Sequence, residues 1–336
     1  MKVAMGIENT GINIQQTSSQ LTLANKWDHF LKRAGINRGK NRVNPGLYSL
    51  GNPNEKSQVF VTANYSLSFD CLRTALKGIN CFILVLDTKG INVWCAAGKG
   101  TFGTDELVNR IKLSRLEEVT KRRTLILPQL SGPGVAAHRV KKLSGFNVEY
   151  GPVRASDLPE YLETHKATPE MRRVNFNFKD RLILVPTELI QVLLLILVLA
   201  LSLYFISGLL PALAITAAFL SGVILFPILL PWIPIPNFST KGFVLGALIA
   251  LPFAIIDFLS NTDSVLWQRA GWALIYMLIL TPITAYLSLN FTGATTFTSR
   301  SGVKREIFKY VPKMVWIFGV GIILSVTLIL INVLGR

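Results

Sequence analysis

The chain has 336 residues, of which 50% are hydrophobic and 16% charged. Soluble domains run near ~25% charged, so the average points away from a purely water-soluble protein. A formal net charge of +16 invites a nucleic-acid reading. Yet the cations are scattered through the first half or clustered beside apolar spans, with no groove-reading helix and no aromatic–basic RNA signature. They suit membrane topology and anionic lipid instead, and no nucleic-acid partner is expected.

Residues 1–45 are polar, with one short helix predicted from Trp27 to Gly35, and read as an N-terminal extension. Met1 to Gln20 contains no apolar stretch of the secretory type, which places the first half in the cytoplasm. From Pro45 strands and helices alternate. A strand near Val59–Ala63 leads to a helix around Phe69–Leu76 and then to the strand Cys81–Asp87. A helix follows from Thr104 to about Val119. Thr104 is its expected N-cap, and Asp105 and Glu106 complement the positive end of its dipole. The strand Thr124–Leu127 precedes a Gly/Pro loop, Ser131-Gly132-Pro133-Gly134, which opens a helix through Lys142. A strand at Phe146–Tyr150 and a helix from Ser156 to about Glu163 close the series. This alternation predicts a Rossmann-like α/β domain over 46–165, with a mainly parallel sheet covered on both faces.

Residues 166–181 form a basic linker carrying Arg172, Arg173, Lys179 and Arg181. Over 182–336 an all-α transmembrane domain is expected. Its five apolar spans fall near 183–207, 211–231, 242–260, 267–289 and 312–334, each long enough to cross a ~30 Å hydrocarbon layer. The linker and the loop between the fourth and fifth spans, with Arg300, Lys304, Arg305, Lys309 and Lys313, are the cationic flanks. The positive-inside rule puts both on the cytoplasmic side of the inner membrane and the C-terminus outside.

Three cysteines, Cys71, Cys81 and Cys95, show no paired spacing and fit a reducing compartment. Cys71 and Cys81 are expected to be small buried side chains. Cys95 sits in Asn92-Val93-Trp94-Cys95-Ala96-Ala97-Gly98-Lys99, beyond the strand ending at Asp87, where an α/β domain gathers ligand chemistry. Gly98-Lys99-Gly100-Thr101-Phe102-Gly103 spells G-x-G-x-x-G but starts too far from its strand for a dinucleotide turn. It is no P-loop either, because Val93 stands where the first glycine belongs and Gly100 follows the lysine. A nucleophilic Cys95 needs a base, and His138 is the nearest prospect in an α/β layout, though it reads better as a surface helix residue. A zinc or iron–sulfur site needs several thiolates or imidazoles at short spacing, and none are present. Two readings stay open on spacing alone. Cys95 is either a single soft ligand to a metal carried in a larger cofactor or a small residue packed in a turn.

The segment Asn92 to Lys99 resembles the N-V/I-W-C-A-A/G-G-K signature of the membrane-anchored corrinoid proteins of anaerobic mercury methylation, the HgcA family. The likeness extends to Val61-Thr62-Ala63-Asn64-Tyr65, Ser68-Phe69-Asp70, Leu86-Asp87-Thr88 and Gly100-Thr101-Phe102-Gly103-Thr104. It continues in Leu127-Pro128-Gln129-Leu130, Gly132-Pro133-Gly134-Val135 and Tyr150-Gly151-Pro152-Val153-Arg154. In the second half, Asn290-Phe291-Thr292-Gly293-Ala294-Thr295 and Phe297-Thr298-Ser299 also fit, so the resemblance covers roughly 45–336. The first half is similar, too, to the corrinoid-binding domain of the corrinoid iron–sulfur protein of the acetyl-CoA pathway. This chain has no matching cysteine run for a cluster of its own. The D-x-H-x-x-G motif of His-ligated cobalamin proteins is absent as well, since Asp28-His29 has the wrong spacing.

The resemblance implies a methyltransferase with a cobalamin-type corrinoid held without a histidine ligand, its lower face turned to Cys95. A methyl group from a folate-type donor passes to cobalt and from methyl-Co(III) to Hg(II), presented as a thiolate complex, to give methylmercury. Heterolytic and homolytic routes both give that product. Electrons come from a ferredoxin-like partner with two [4Fe–4S] clusters. The motif residues Asn92, Val93, Trp94, Ala96, Ala97, Gly98 and Lys99 surround the ligand Cys95, with Val93 and Trp94 either walling the cofactor or anchoring the motif. Loops at strand ends complete the expected pocket: Thr62, Ala63 and Asn64, Asp87 and Thr88, Thr101 and Thr104, Gln129, Gly132, Pro133 and Gly134, and Gly151, Pro152, Val153 and Arg154. The alternative from another class is a membrane-bound corrinoid methyl carrier or electron-transfer scaffold serving a different acceptor.

Overall fold

The computed structural model describes residues 12–36, 39, 41–295 and 300–334; the expected motif Phe297-Thr298-Ser299 lies outside them. The chain divides into two compact units, residues 1–32 with 36–175 and residues 33–35 with 176–336.

The first unit contains β1 (Ile14–Thr17), α1 (Leu23–Arg33), β2 (Gly46–Leu50), β3 (Gln58–Ala63), α2 (Ser66–Ala75), β4 (Cys81–Leu86) and α3 (Val93–Lys99). It continues with α4 (Thr104–Leu113), α5 (Leu116–Val119), β5 (Thr124–Leu127), α6 (Ala137–Ser144), β6 (Asn147–Tyr150) and α7 (Leu158–Thr164). The six strands form one sheet in the order β1-β2-β4-β3-β5-β6. Every pairing is parallel except β2 with β4. The sheet is therefore mixed and mostly parallel, with helices on both faces.

Strand residues alternate cleanly between two cores, as the two-residue period requires. Val59, Val61, Phe82, Leu84, Leu125 and Leu127 point toward α3, α4 and α6. Phe60, Cys81, Ile83, Val85 and Ile126 point toward α2 and α7. All six residues of β4 are buried, which explains its unbroken apolar sequence.

Four expectations change here. The segment read as an N-terminal extension contributes β1, in parallel register with β2, and a longer helix than predicted. Strands as short as β1 and β2, four and five residues, leave no strong periodic signal, which is why they were not expected. The helix over 104–119 is broken, with Arg115 at φ 47° between α4 and α5. Thr104 is not the cap of α4; Gly103 occupies that position, and the Thr104 hydroxyl accepts a hydrogen bond from the Ala136 amide at 2.9 Å.

A polar network fastens α1 to the domain. Asp70, 3% exposed, lies 2.7 Å from His29 Nε2 and 2.6 Å from Arg73 Nε. Arg73 in turn donates to the carbonyls of Ser18 and Gln20 and to Asn25. Lys32, buried to 1%, reaches Asp28 at 3.1 Å, the Ser66 hydroxyl and the Asn41 carbonyl. Burial works to raise the Asp28 pKa, but hydrogen bonds from Ser66, Asn41 and Lys32, with the Lys32 charge, hold it below the ordinary carboxylate value.

The second unit holds α8 (Phe178–Leu182), α9 (Val185–Ser207), α10 (Leu209–Leu220), α11 (Phe226–Leu229), α12 (Phe238–Ser260), α13 (Leu266–Asn290) and α14 (Arg300–Leu334). Among the described residues, five helical stretches are long and apolar enough to cross a membrane: 178–207, 209–229, 238–260, 266–293 and 301–334. Gly242 and Gly246 let α12 approach α13 closely. A Cβ on Gly246 would stand 2.8 Å from the Thr281 carbonyl oxygen, and one on Gly242 2.7 Å from Ala285 Cα. The cationic stretch from Arg300 to Lys313, expected as a loop, is helical and continues directly into the last apolar span. Its one acid explains the difference: buried Glu306 accepts from the amides of Phe238 and Ser239 and from the Ser239 hydroxyl, closing the start of α12.

Candidate functional site

Among the parallel strands the order β4-β3-β5-β6 places a reversal between β3 and β5. The chain leaves β3 for β4 on one side and crosses to β5 on the other. Loops diverge at such a point, and the crevice beyond the strands' carboxyl ends is where open α/β sheets bind ligands. A cavity of about 380 Å³ opens there. Val61 and Thr62 reach it from β3, and Ile126, Leu127 and Pro128 from β5. Pro152 and Val153 come from beyond β6, and Asn92, Val93 and Trp94 from the start of α3. Most of the lining is apolar and none of it is charged, which suits the hydrophobic part of a ligand rather than a charged one.

The loop from β4 to α3 is held by Asn64, itself only 2% exposed. Its side-chain oxygen accepts from the Thr88 amide at 3.0 Å, the Thr88 hydroxyl at 2.9 Å and the Gly90 amide at 2.9 Å. Its side-chain nitrogen donates to Asp87 Oδ1 at 3.0 Å. The Asp87 amide donates to Glu106 Oε1 on α4 at 2.8 Å. Asn64, Asp87 and Thr88, expected at the ligand, thus shape the backbone that carries the motif.

That backbone leads into α3. Asn92 caps the helix by accepting from the Cys95 amide at 2.9 Å. Gly100, at φ 82°, ends it in a left-handed turn that an L side chain adopts only with strain. Val93, Ala96 and Ala97 are buried in the core. Trp94, Cys95, Gly98 and Lys99 face outward. Cys95 and Gly98 are one turn apart, and a Cβ on Gly98 would meet nothing within 4 Å. The result is a bare patch with a sulfur at one edge. Val93 is the anchor and Trp94, 39% exposed, borders the cavity; Cys95 lies beside the cavity without lining it.

The other expected residues are spread around this patch. Ala63 is buried in the core beneath it, and Thr101 makes only a long contact, 3.5 Å, with the Ala96 carbonyl. Gly134 serves the protein's own packing. A Cβ there would stand 2.2 Å from the Phe102 carbonyl oxygen and 3.0 Å from Ala97 Cα, so its missing side chain lets the Gly/Pro loop press on the end of α3. Gly132 and Pro133 sit in the same loop, Pro133 exposed. Gln129 accepts from Arg172 at 2.6 Å. Gly151 lies against Ile126 and Leu158 beneath the cavity, where Pro152 and Val153 line the wall. Arg154 begins the short turn that leads into α7.

Sequence reasoning missed the α2 wall. Tyr65, Leu67, Ser68, Cys71 and Leu72 all border the cavity. The spacing 65, 68, 72 marks one helix face and was the available signal. Cys71 is a correction: it is exposed, not buried. The buried residues of α2 are Phe69, Asp70, Leu72 and Arg73, which leaves position 71 on the outer side. Cys81 is buried as expected, and burial pushes its thiol up from 9.0 to about 12. At pH 8 iodoacetamide should therefore label Cys71 and Cys95 in the folded protein and spare Cys81; peptide mapping that finds all three alkylated would contradict this burial. The folded thiol holds its proton to about 12 while an unfolded one loses it near 9.0. The corresponding stability is complete below pH 9 and declines as pH rises toward 12.

Residues 37–162 match the family model described as CO dehydrogenase/acetyl-CoA synthase delta subunit. The acetyl-CoA decarbonylase/synthase complex subunit gamma of Methanopyrus kandleri is 34% identical over 129 residues, 38% of this chain and 27% of that protein. The gamma subunit of Methanothermobacter thermautotrophicus is 28% identical over 171 residues, 45% of this chain and 37% of its own. The corrinoid/iron-sulfur protein large subunit of Moorella thermoacetica is 29% identical over 129 residues, 38% of this chain and 28% of that protein. This chain thus spans well under half the length of the curated relatives it matches. Its first unit is related to these acetyl-CoA pathway proteins, as the resemblance implied.

Proposed function

We propose that this chain is a membrane-anchored, corrinoid-dependent methyltransferase that transfers a methyl group to Hg(II), with Cys95 as the protein's ligand to cobalt. One observation carries the reading: α3 turns a thiol outward on a bare helix face, beside an apolar cavity at the reversal point of a mostly parallel sheet. The donor chemistry fits a corrinoid. Among the described residues no group of three or more His, Cys, Asp or Glu gathers. A metal held here would come inside a larger cofactor, and Cys95 would add one soft sulfur to it. A bound corrinoid supplies a cobalt centre that carries methyl groups and cycles between oxidation states.

The chain's own residues hold and shield it. Asn92 and Asn64 keep α3 in place, and Gly98 leaves its outer face flat. Trp94, at the cavity rim, would shield the cofactor from water, and the exposed Lys99 would donate to one of its amide oxygens. Thr62, Leu127, Pro152 and Val153 would line the cavity against part of the cofactor. Electrons are supplied by a ferredoxin-like partner with two [4Fe–4S] clusters and methyl groups by a folate-type donor. The five apolar helices anchor the chain in the inner membrane, the first unit cytoplasmic and the C-terminus outside.

The names of the relatives favour a second reading, a corrinoid methyl carrier for some other acceptor. Anaerobically purified full chain, given cobalamin, the ferredoxin partner and a methyl donor, separates the two. The expected result is a corrinoid absorption spectrum and methylmercury formed from Hg(II) thiolate. Corrinoid uptake with methylation of another acceptor alone favours the carrier, and protein that takes up no cobalamin sinks both.

A further inference from the structure

Helix α1 is built the wrong way round for an ordinary surface helix, which buries apolar residues and shows polar ones to water. Its polar side chains face the protein. His29 is held by Asp70, and Lys32 is buried among Asp28, Ser66 and Asn41. Asn25 binds Arg73. Its large apolar side chains face out: Leu23, Trp27 and Phe30 are 83%, 62% and 59% exposed. Their spacing, i, i+4 and i+7, makes them one stripe, and the Trp27 and Phe30 rings stack at 5.4 Å.

The polar network makes this orientation obligatory. Rolling α1 to hide Trp27 would pull Lys32 from Ser66 and Asn41, pull Asp28 from Ser66 and strip His29 from Asp70. The exposed charges of α1 itself carry one sign. Lys26 and Arg33 are exposed, whereas Asp28, the helix's single acid, is turned inward to Lys32 and Ser66. An apolar stripe containing Trp and Phe, flanked on its own helix by the exposed cations Lys26 and Arg33, complements an anionic lipid surface. A partner protein would meet the same apolar area, but α1 itself shows it no exposed acid to pair with a partner's cation.

We propose that α1 lies in the headgroup region of the bilayer, with Leu23, Trp27 and Phe30 inserted and Lys26 and Arg33 against anionic phosphates, as a second membrane contact for the first unit. This rests on the reading of the five apolar helices as spans. The test uses the full chain in liposomes whose acyl chains are brominated near the carbonyl end, comparing tryptophan emission of the wild type with that of Trp27→Phe. The wild type should lose more emission than the variant. That extra loss should be larger with phosphatidylglycerol present than in phosphatidylcholine alone. Moving the reporter, by Phe30→Trp in the Trp27→Phe background, should restore the extra quenching.

Equal quenching of wild type and variant would overturn the proposal, whether the Trp27 contribution is red-shifted, as in water, or blue-shifted under another protein surface. A carbonate wash separates the two levels. A chain stripped from the liposomes refutes the spans and α1 together, and a chain that stays without Trp27 quenching refutes α1 alone.

Discussion

Cys95→Ala should remove methyl transfer while leaving the protein folded. The thiol is on the outer face of α3, and its exposed position means that truncation opens no cavity in the core. Stability should change by no more than about 0.5 kcal/mol, as at other exposed sites. The Asn92 cap on the residue 95 amide is a backbone contact and survives the substitution. Activity should fall about a hundredfold or more, because removing even the outer partners of metal ligands costs ~10–100-fold. Two measurements check this together: methyl transfer to Hg(II) thiolate and the visible spectrum of the protein with cobalamin. The variant should still take up cobalamin through the apolar cavity, but with the absorption of a corrinoid lacking a sulfur ligand. A fully active variant, or one whose spectrum matches wild type, would remove the ligand role from Cys95 and leave it a small residue in a turn.

Asn64→Ala should have the largest effect on stability. The side chain is buried and fills both of its hydrogen-bonding ends, on Thr88, Gly90 and Asp87. Alanine leaves the Gly90 amide and the Thr88 hydroxyl without this acceptor; Thr88 keeps its contact to the Ile91 carbonyl at 2.7 Å. An orphaned buried group costs about 1–3 kcal/mol, so a loss of about 2–4 kcal/mol is expected for the first unit. Chemical denaturation of the full chain followed by a probe in the first unit measures it. The loop over 87–91 sets the position of α3, so corrinoid uptake should weaken in the same variant even where it remains folded. A variant with unchanged denaturation midpoint would show that the loop is held by its own turn geometry instead.

These two residues show what kind of information the sequence carries. The strands β3, β4 and β5 were legible because each is a short apolar run bounded by turn residues, and burial on both faces leaves no other reading. The apolar spans were legible for the same local reason. Cys95 was legible as a placed thiol, since motif and helix lie within eight consecutive residues. Asn64 was not legible as a clamp. It stands 24 and 26 residues from the two amides it accepts from, and nothing local distinguishes such an acceptor from a ligand-binding amide. The network around Asp70 was hidden for a similar reason, with His29 41 positions away.

Composition, periodicity and the cysteine segment therefore determined the two-part layout, the alternation of strands and helices, and the place of the Cys95 thiol at the start of α3. Each is local, encoded in neighbouring side chains and readable one window at a time. Tertiary structure alone decided the strand order, the reversal point that opens the cavity, the outward turn of α3 and the inverted face of α1. Those features depend on which distant groups satisfy one another's hydrogen bonds and bury one another's surface, and a chain discloses such pairings only once it has folded.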